Sequence, residues 1–326
     1  MNMPASFNGN NGNNGNNGNS GNAGGGGNAS GNSAGWFFPD RVALPFIFAP
    51  AATPPGGAVV PAGETIGALA VIAHSKFPDR NWSAEWYAWQ CLAEFSATSW
   101  RAMTPAWPPG IPQLPPVTAQ PPAFPAVPPV DWLGSNSALN VTEEIHDLVI
   151  AAEEERADAL GEIVSQSDEF ISYFLNSLSS RPGSYPNTNK VLTIASLIGT
   201  FVAMYFKGHY ARPRPSHLCP ALMPPVQVPG HASFPSGHAT QAHLMALCMR
   251  DVLAGSQMYD TAAVVLWTLA NRIARNREIA GLHYKSDTDG GVALAISTLP
   301  LLQQSAIAPG ASKYQIAVDA AREEWA

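Results

Sequence analysis

Residues 234–238 of the chain are FPSGH, and the mainly apolar run ATQAHLMALC follows at 239–248. A proline turn before a run with helical spacing predicts a helix that begins at Ser236 and continues to about Leu253. The first N–H groups of a helix have no partner within it and attract anions. Because Gly237 lets the backbone approach closely and Ser236 adds a hydroxyl donor, this helix start can bind an oxyanion. Taken alone, the pattern also fits an ordinary serine cap.

Basic residues lie on both sides of this helix start in the sequence. Lys207 and Arg214 belong to KGHYARPRP at 207–215, and Arg277 begins REIAGLHYKSD at 277–287. The planar guanidinium of an arginine can contact two oxygens of one phosphate. The chain has a net charge of −7, which argues against a general nucleic-acid surface. Three local cations therefore predict a pocket for a small anion, although the first two alone would also fit a solvated basic loop.

Two histidines near these cations are candidate catalytic groups. His238 follows the helix start directly, and its near-neutral titration suits proton transfer to a leaving-group oxygen. His283 and Asp287 are four residues apart and can share a helix face. A carboxylate on one imidazole nitrogen leaves the other nitrogen free to attack phosphorus. Such a pair is usually a helix-surface feature, but its closeness to Arg277 favours a functional one. Asp289 is a competing carboxylate, although the spacing favours Asp287.

The ordered pattern K-x6-R-P, P-S-G-H and R-x5-H-x3-D resembles the signature of the type 2 phosphatidic acid phosphatase and vanadium haloperoxidase superfamily. The resemblance covers about residues 136–305 and implies an all-α helical bundle. It implies catalytic roles for His238, His283 and Asp287. It also implies five ligands of phosphate or vanadate: Lys207, Arg214, Ser236, Gly237 and Arg277. The family usually has serine before the arginine, where this chain has Asn276, whose amide can form similar hydrogen bonds.

The resemblance implies two possible activities. We expect metal-independent hydrolysis of phosphomonoesters through a phosphohistidine, which requires no cofactor and takes a small anionic phosphate ester as substrate. The alternative is a vanadate-dependent haloperoxidase, which holds vanadate on His283 and uses peroxide and halide. His231 bears on this choice, because haloperoxidases of the superfamily have an aromatic residue or a histidine at this position, and histidine is typical of the bromide-oxidising branch. A loop histidine after Pro-Gly is equally compatible with simple exposure. A non-catalytic anion-binding or proline-rich scaffold would leave both catalytic histidines idle.

The composition divides the chain into three parts. Residues 1–35 are an Asn/Gly-rich tail, predicted to be disordered because it has little apolar surface. Residues 36–135 form a proline-rich cover with one Trp-rich helix, and 136–326 form the helical catalytic domain. Prolines at 105–129 exclude a helix, which leaves either a linker or an ordered strap. In the Trp-rich helix, predicted at 82–103, the side chains expected to face the core are Trp82, Trp86, Trp89, Ala93 and Trp100.

The remaining predictions concern helices and location. Six helices are predicted in addition to the Trp-rich helix and the one at Ser236: 162–178, 187–207, 259–275, 288–304, 314–325 and one that begins after Asn140. In the first of these, Ile163, Phe170, Phe174 and Leu178 are expected to point inward. The apolar run at 191–206 is shorter than the ~20 residues of a spanning helix, so we expect a buried core helix and no membrane span. The start of the sequence has no secretory signal pattern, which predicts a cytoplasmic protein.

Overall fold

The computed structural model describes residues 77, 81–103, 141–305 and 310–326. The regular elements in these ranges are helices, and they contain no β-strand, so the prediction of an all-α bundle is confirmed. The tail at 1–35, the proline-dense segment at 105–129 and the domain boundaries near 35 and 135 lie outside the described residues. The division of the chain into these three parts therefore stays a prediction.

The α-helices are labelled in chain order. They are α1 (Ala84–Ser96), α2 (Val141–Glu154), α3 (Arg156–Asp168), α4 (Ile171–Ser177), α5 (Pro186–Tyr210), α6 (Pro215–Leu218), α7 (Gly237–Leu253), α8 (Tyr259–Ile279), α9 (Lys285–Gln303) and α10 (Lys313–Arg322). Short 3-10 turns lie at Trp100–Ala102, Pro220–Leu222 and Glu323–Trp325.

Helix α7 is the central helix of the bundle and packs against α5, α8, α9 and α10. Every side chain from His238 to Met249 is buried, which is expected of a helix surrounded by others on all sides. Its approach to α5 is close: Gln241 donates a hydrogen bond of 2.8 Å to the Ser196 hydroxyl, and its backbone packs directly against Gly199. The amino terminus of α7 therefore lies inside the bundle, where other helices can bring side chains to it.

Helix α5 begins with a cap that comes from the other end of the chain. Tyr185, at the N-cap position, forms no side-chain cap. Instead, the Glu324 carboxylate accepts hydrogen bonds of 2.8 Å from the backbone N–H groups of Asn187 and Thr188, and one of 2.7 Å from the Thr188 hydroxyl. A carboxylate at a helix amino terminus satisfies unpaired N–H groups and interacts favourably with the helix dipole. The carboxyl-terminal segment thus stabilises the longest core helix.

Helix α5 is too long for the sequence argument that the apolar run at 191–206 is shorter than a membrane span. The helix has 25 residues, so it is longer than the apolar run that predicts it. The segment Pro186–Leu218 is long and apolar enough, by length and composition, to cross a membrane, and 67% of its most apolar window is buried. Burial of this extent is typical of a core helix. The absence of a membrane span and the cytoplasmic location stay predictions, because length alone does not exclude a span.

The Trp-rich helix is present, but the prediction of its buried face was wrong. Ser83 caps α1 by accepting a hydrogen bond from the Trp86 backbone. Trp86 and Trp89 are 59% and 48% exposed, and Ala93 is also exposed. The buried side chains are instead Tyr87, Ala88, Cys91, Leu92 and Phe95. These positions follow the i, i+4, i+8 spacing of one helix face more closely than the tryptophans do, and this helix packs against α5. Trp100 is buried as predicted.

The helix predicted at 162–178 is divided into α3 and α4. Glu169, between them, has the extended backbone angles φ −159° and ψ 139°. The four side chains predicted to point inward are nevertheless all buried: Ile163, Phe170, Phe174 and Leu178. Because α3 ends at this break, the carbonyl groups of its last turns are available to partners outside the helix.

Candidate active site

The amino terminus of α7 has the structure that the sequence predicts. Ser236 is the N-cap, and its hydroxyl oxygen accepts a hydrogen bond of 3.3 Å from the Ala239 backbone. Its own backbone N–H donates to the carbonyl of Asp287 at 2.9 Å, which ties this helix start to α9. Gly237 is so close to Lys207 that an added Cβ would lie 3.9 Å from the lysine Cε. The serine is therefore a helix cap, and a cation lies beside the same helix start.

Lys207 and Arg214 are buried cations that bind backbone oxygens. Lys207 Nζ donates to the carbonyls of Ala232 and Ser233 at 3.0 and 2.7 Å. Arg214 donates through Nε and Nη1 to the carbonyls of His231 and Leu282, each at 2.9 Å. Burial and the charge of Arg214 together hold the pKa of Lys207 well below its usual value, and burial lowers that of Arg214 to about 10. Such charges are costly without a counter-ion, so this part of the site favours an anion.

Arg277 reaches the site from α8 with two of its five N–H donors already used. Nη1 donates to the Ser167 hydroxyl at 3.0 Å and Nη2 to the Ile163 carbonyl at 2.7 Å. Nε is buried and has no hydrogen-bond partner in the part of the chain that the structure describes. Burial lowers the pKa of this guanidinium to about 10. Two phosphate oxygens could therefore be contacted through Nε and the remaining N–H groups, since α3 already fixes the outer edge of the side chain.

His283 and Asp287 are in contact, although they do not share a helix. His283 precedes α9, whereas Asp287 lies in its first turn. The distance from His283 Nδ1 to Asp287 Oδ2 is 3.1 Å, and Oδ2 also accepts hydrogen bonds from the Tyr284 backbone N–H and the Ser233 hydroxyl. Asp287 is therefore the carboxylate that contacts His283, whereas Asp289 pairs with Lys285 at the surface.

The protonation of this pair follows from its surroundings. Burial would raise the pKa of Asp287, but the Arg212 charge and the hydrogen bonds from His283 and Ser233 outweigh it and hold that pKa well below its ordinary value. An ionised carboxylate only accepts, so His283 must carry its proton on Nδ1 when it is neutral. Nε2 of His283 then has a free lone pair, and it is buried without a hydrogen-bond partner among the residues described.

His238 is held in the complementary way. Its Nε2 lies 3.0 Å from the carbonyl oxygen of Gln166, which can only accept, so Nε2 carries a proton. The ring stacks on Phe170 with centroids 5.0 Å apart. Nδ1 is buried and unpartnered within the described ranges. Burial and then the charge of Arg277 lower the pKa of His238 well below its usual value. To act as a general acid His238 must be protonated, and these surroundings oppose that state.

His231 lies at the edge of this cluster and not in an exposed loop. It is half-buried, and its Nδ1 is 3.0 Å from Arg214 Nη2. The same nitrogen lies 3.1 Å from the Ala232 carbonyl oxygen, so a lone pair on Nδ1 suits the guanidinium, which only donates, and a proton on Nδ1 suits the carbonyl, which only accepts. Burial and the charges of Lys207 and Arg214 lower the pKa of His231 to about 4. The interpretation of this residue as a simply exposed loop histidine was therefore wrong.

The predicted cationic and catalytic side chains converge. Lys207 and Asp287 both contact Ser233, and Gly237 lies beside Lys207. Arg214 binds the carbonyl of Leu282, next to His283, while Arg277 and His238 both bind carbonyl groups of α3. The side chains predicted to form the site therefore meet in one buried cluster, built from α5, α7, α8, the start of α9 and the loop between α5 and α6. An arrangement of this kind can bind a tetrahedral oxyanion and present an imidazole lone pair to it.

Four residues of this cluster were not predicted from the sequence. Ser233 and Arg212 hold Asp287, and Arg212 also pairs with Glu144 of α2 at 2.9 Å. Gln166 of α3 holds His238 through a backbone carbonyl. Arg212 and Ser233 lie in the motif segments and could have been suspected there. Nothing in the sequence indicates Glu144 or Gln166, because their partners are distant along the chain.

Asn276, which replaces the serine usual in the resembled family, turns away from the cationic cluster. Its amide nitrogen donates to Glu162 Oε2 and to Gln166 Oε1, each at 2.9 Å. Arg272 and Arg275, which lie near the motif but outside its pattern, pair with Glu162 and Glu155 at the protein surface. These residues therefore stabilise the contact between α8 and the helices before it and add no further cation to the cluster.

The part of the chain that contains these residues also matches a known protein family. Residues 190–306 match the family model described as the PAP2 superfamily. The matched range contains all three motif segments, from Lys207 to Asp287. A search of curated proteins found no match to the chain.

Proposed function

The chain is a member of the type 2 phosphatidic acid phosphatase superfamily, and we propose that it hydrolyses phosphomonoesters through a phosphohistidine on His283. Membership supports an activity of the phosphatase or phosphoesterase type. The observation that supports a phosphohistidine on His283 is the buried Nε2 of this residue, which has no hydrogen-bond partner in the described ranges, while its Nδ1 contacts Asp287. A nucleophilic imidazole needs this arrangement, with one nitrogen held by a carboxylate and the other free.

In the first step, His283 Nε2 attacks phosphorus, a P–N bond forms and the P–O bond to the leaving alkoxide breaks. The alkoxide takes a proton from Nδ1 of His238, which is the nitrogen that Gln166 leaves free. His238 must be protonated at this stage. Burial and the charges of Arg277 and Lys207 lower the pKa of His238, and a bound phosphate dianion favours the protonated state because it offsets those two charges.

In the second step, His238 acts as a base. It takes a proton from water as the water oxygen attacks phosphorus, and the P–N bond breaks, which releases inorganic phosphate and restores the neutral His283 side chain. His238 ends the cycle protonated, as at its start. Lys207, Arg214 and Arg277 neutralise the phosphoryl oxygens in both steps. Preorganised charge of this kind, in a site without bulk water, is usually the largest catalytic contribution. These cations supply the neutralisation for which other phosphatases use divalent metals.

A second function uses the same residues. Vanadate has the shape of phosphate, and the free Nε2 of His283 beside buried cations fits it as well as it fits a phosphoryl group. Bound there, it would supply activation of peroxide for halide oxidation. The observation that favours this alternative is the place of His231 against Arg214, 3.0 Å from the guanidinium, where a neutral imidazole could line a halide position. We rank it second, because phosphoester hydrolysis requires only the residues already present.

Two parallel assays test the choice. Purified protein that contains all 326 residues of the sequence is incubated with p-nitrophenyl phosphate, and separately with vanadate, hydrogen peroxide and bromide. We expect turnover of p-nitrophenyl phosphate, with a bell-shaped pH profile. We also expect a phosphorylated histidine that survives an alkaline quench. H283A should lose the turnover and the phosphohistidine. H146A, which makes the same change at an exposed histidine of α2, should keep both. Turnover in the second assay alone, or full phosphatase activity in H283A, would overturn the proposal.

A further inference from the structure

The carboxylate of Asp287 divides its two oxygens between different partners. Oδ2 faces His283 Nδ1 and accepts from Tyr284 and Ser233. Oδ1 accepts a hydrogen bond of 2.8 Å from Nη1 of Arg212. The carboxylate plane, and with it the direction in which Oδ2 meets the imidazole, is therefore fixed from both ends. Arg212 forms the only ion pair with Oδ1 in the part of the chain described.

Arg212 is itself fixed on three sides. Nη2 donates to Glu144 Oε2 at 2.9 Å, Nη1 donates to the Ser286 hydroxyl at 2.7 Å, and the guanidinium carbon lies 3.8 Å from the centre of the Tyr284 ring. The side chain is 2% exposed. A guanidinium that is stacked and bound in this way has a defined plane, which a lysine ammonium could not reproduce.

Glu144 connects this arginine to the helix that bears Asp287. Its Oε1 accepts a hydrogen bond of 2.8 Å from the Ser286 backbone N–H, and its Oε2 accepts one of 2.9 Å from the Ser286 hydroxyl. Ser286 lies in the first turn of α9, where a carboxylate is stabilised by the unpaired N–H groups of the helix. One side chain of α2 therefore holds both Arg212 and the start of α9. Helix α2 lies outside residues 190–306, the range that matches the family.

From these contacts we infer that Arg212 and Glu144 are positioning residues, which fix the Asp287 carboxylate so that His283 presents Nε2 in one tautomer and one orientation. Neither residue touches the substrate in this scheme. Both act through Asp287, in the way that partners of a metal-binding or catalytic histidine set its direction and basicity. The inference rests on the proposed function for its kinetic test, but its spectroscopic test does not depend on any activity.

The charges around Asp287 give the two positioning residues opposite effects. The charged groups that face Asp287 from other elements are Arg212 and Arg214 of the loop after α5, Lys207 of α5, and, behind Arg212, Glu144 of α2. On its own side, the titratable groups are His283 and Tyr284. Removing the charge of Arg212 takes away the cation that Asp287 and Glu144 share and raises the pKa of Asp287. Removing the charge of Glu144 leaves Arg212 in place and does not raise it.

The kinetic test uses R212M, R212K and E144Q, with R272M as a matched control at an arginine that is 66% exposed and pairs only at the surface. We expect kcat/KM for p-nitrophenyl phosphate to fall by about 10- to 100-fold in R212M, the range seen when partners behind a first ligand are removed. The acid limb of its pH profile should move to higher pH. R212K should lose less, and the acid limb of E144Q should not move in that direction. R272M should behave as the original protein does.

The spectroscopic test measures the ¹⁵N shifts of the His283 ring in labelled free protein, with H283A to identify the signals. The original protein should show Nδ1 protonated and Nε2 unprotonated, whereas R212M should show mixed tautomers. If the original protein has no turnover, the proposed function fails, but these shifts still decide the positioning role. Should R212M not fold, R212K and E144Q provide the comparison through the same shifts. A folded R212M with an unchanged tautomer and an unchanged acid limb would overturn the inference.

Discussion

Replacing Gly291 with alanine should damage the site from a position that does not touch the substrate. Gly291 lies in α9, where this helix approaches the start of α7. A Cβ added there would lie 2.7 Å from the carbonyl oxygen of Ser236, 2.8 Å from Ala239 Cβ and 3.1 Å from the backbone nitrogen of Thr240. Two of these three atoms belong to the backbone of the helix start, so no side-chain rotation can relieve the contact.

The magnitude follows from these distances. Non-bonded atoms are in favourable contact at about 3.5–4.0 Å, so the start of α7 would have to move by roughly 0.5–1 Å from α9. Overpacking of this kind typically costs about 1–3 kcal/mol of unfolding free energy. The same movement separates Ser236 and Gly237 from His283, which is joined to α9. Since a misplacement of about 1 Å can cost about 10²-fold in rate, we expect G291A to reduce kcat/KM by about 10- to 100-fold.

The assay compares G291A with G161A, both measured by urea unfolding and by p-nitrophenyl phosphate hydrolysis. Gly161 lies within α3, and a Cβ there would meet nothing within 4 Å. Its replacement should stabilise the protein by about 0.5–1 kcal/mol, because alanine is the better helix former, and should leave kcat/KM unchanged. A G291A variant as stable and as active as the original protein would show that α7 and α9 are not in this close contact, and would refute the prediction.

Two further predictions concern stability. E324A removes the cap of α5 and should lower the unfolding free energy by about 1–2 kcal/mol. E323A makes the same change at an exposed neighbour and should alter the unfolding free energy by less than about 0.5 kcal/mol. Equal losses of the two variants in urea unfolding would contradict the capping role of Glu324. The lowered pKa of His231, about 4, means that the folded protein binds fewer protons than the unfolded chain below the ordinary histidine pKa. The stability that this provides is present above about pH 6.5 and declines as the pH falls, by on the order of 1 kcal/mol at pH 5 after solvent screening. H231N should reduce the loss measured between pH 7.5 and pH 5, and an unchanged loss would contradict the prediction.

The sequence was sufficient for the features that depend on neighbours along the chain. Apolar periodicity predicted the helices and the inward side of α3 and α4, because a helix must turn its apolar face to the core. It was misleading for α1, where large tryptophans suggested a core face and smaller residues in better register form it. The motif Pro-Ser-Gly-His predicted a capped helix start, since capping is decided within a few residues.

From the sequence, the site could be predicted as a set of residues, but the arrangement of their side chains could not be predicted. The sequence indicated Lys207, Arg214, Arg277 and the two histidines as a group, but not how their charges are balanced. The partners that balance or hold them lie far away in the chain, as Glu144 does from Arg212 and Gln166 does from His238. No local pattern indicates such pairs, because only the packing of α2 and α3 against the later helices brings them together.

What the sequence determined by itself is the chemical inventory: three cations, a serine-capped helix start, and two histidines with a carboxylate four residues after the second. What only the tertiary structure decided is the state of those groups. Burial lowers the pKa of His238, and for Asp287 the charge of Arg212 outweighs the effect of burial, so that its pKa is lowered too. The Gln166 carbonyl and the Asp287 carboxylate decide which nitrogen of each imidazole carries the proton. The physical reason is that pKa values and hydrogen-bond directions depend on desolvation and on neighbours in space, and both are created when the helices pack.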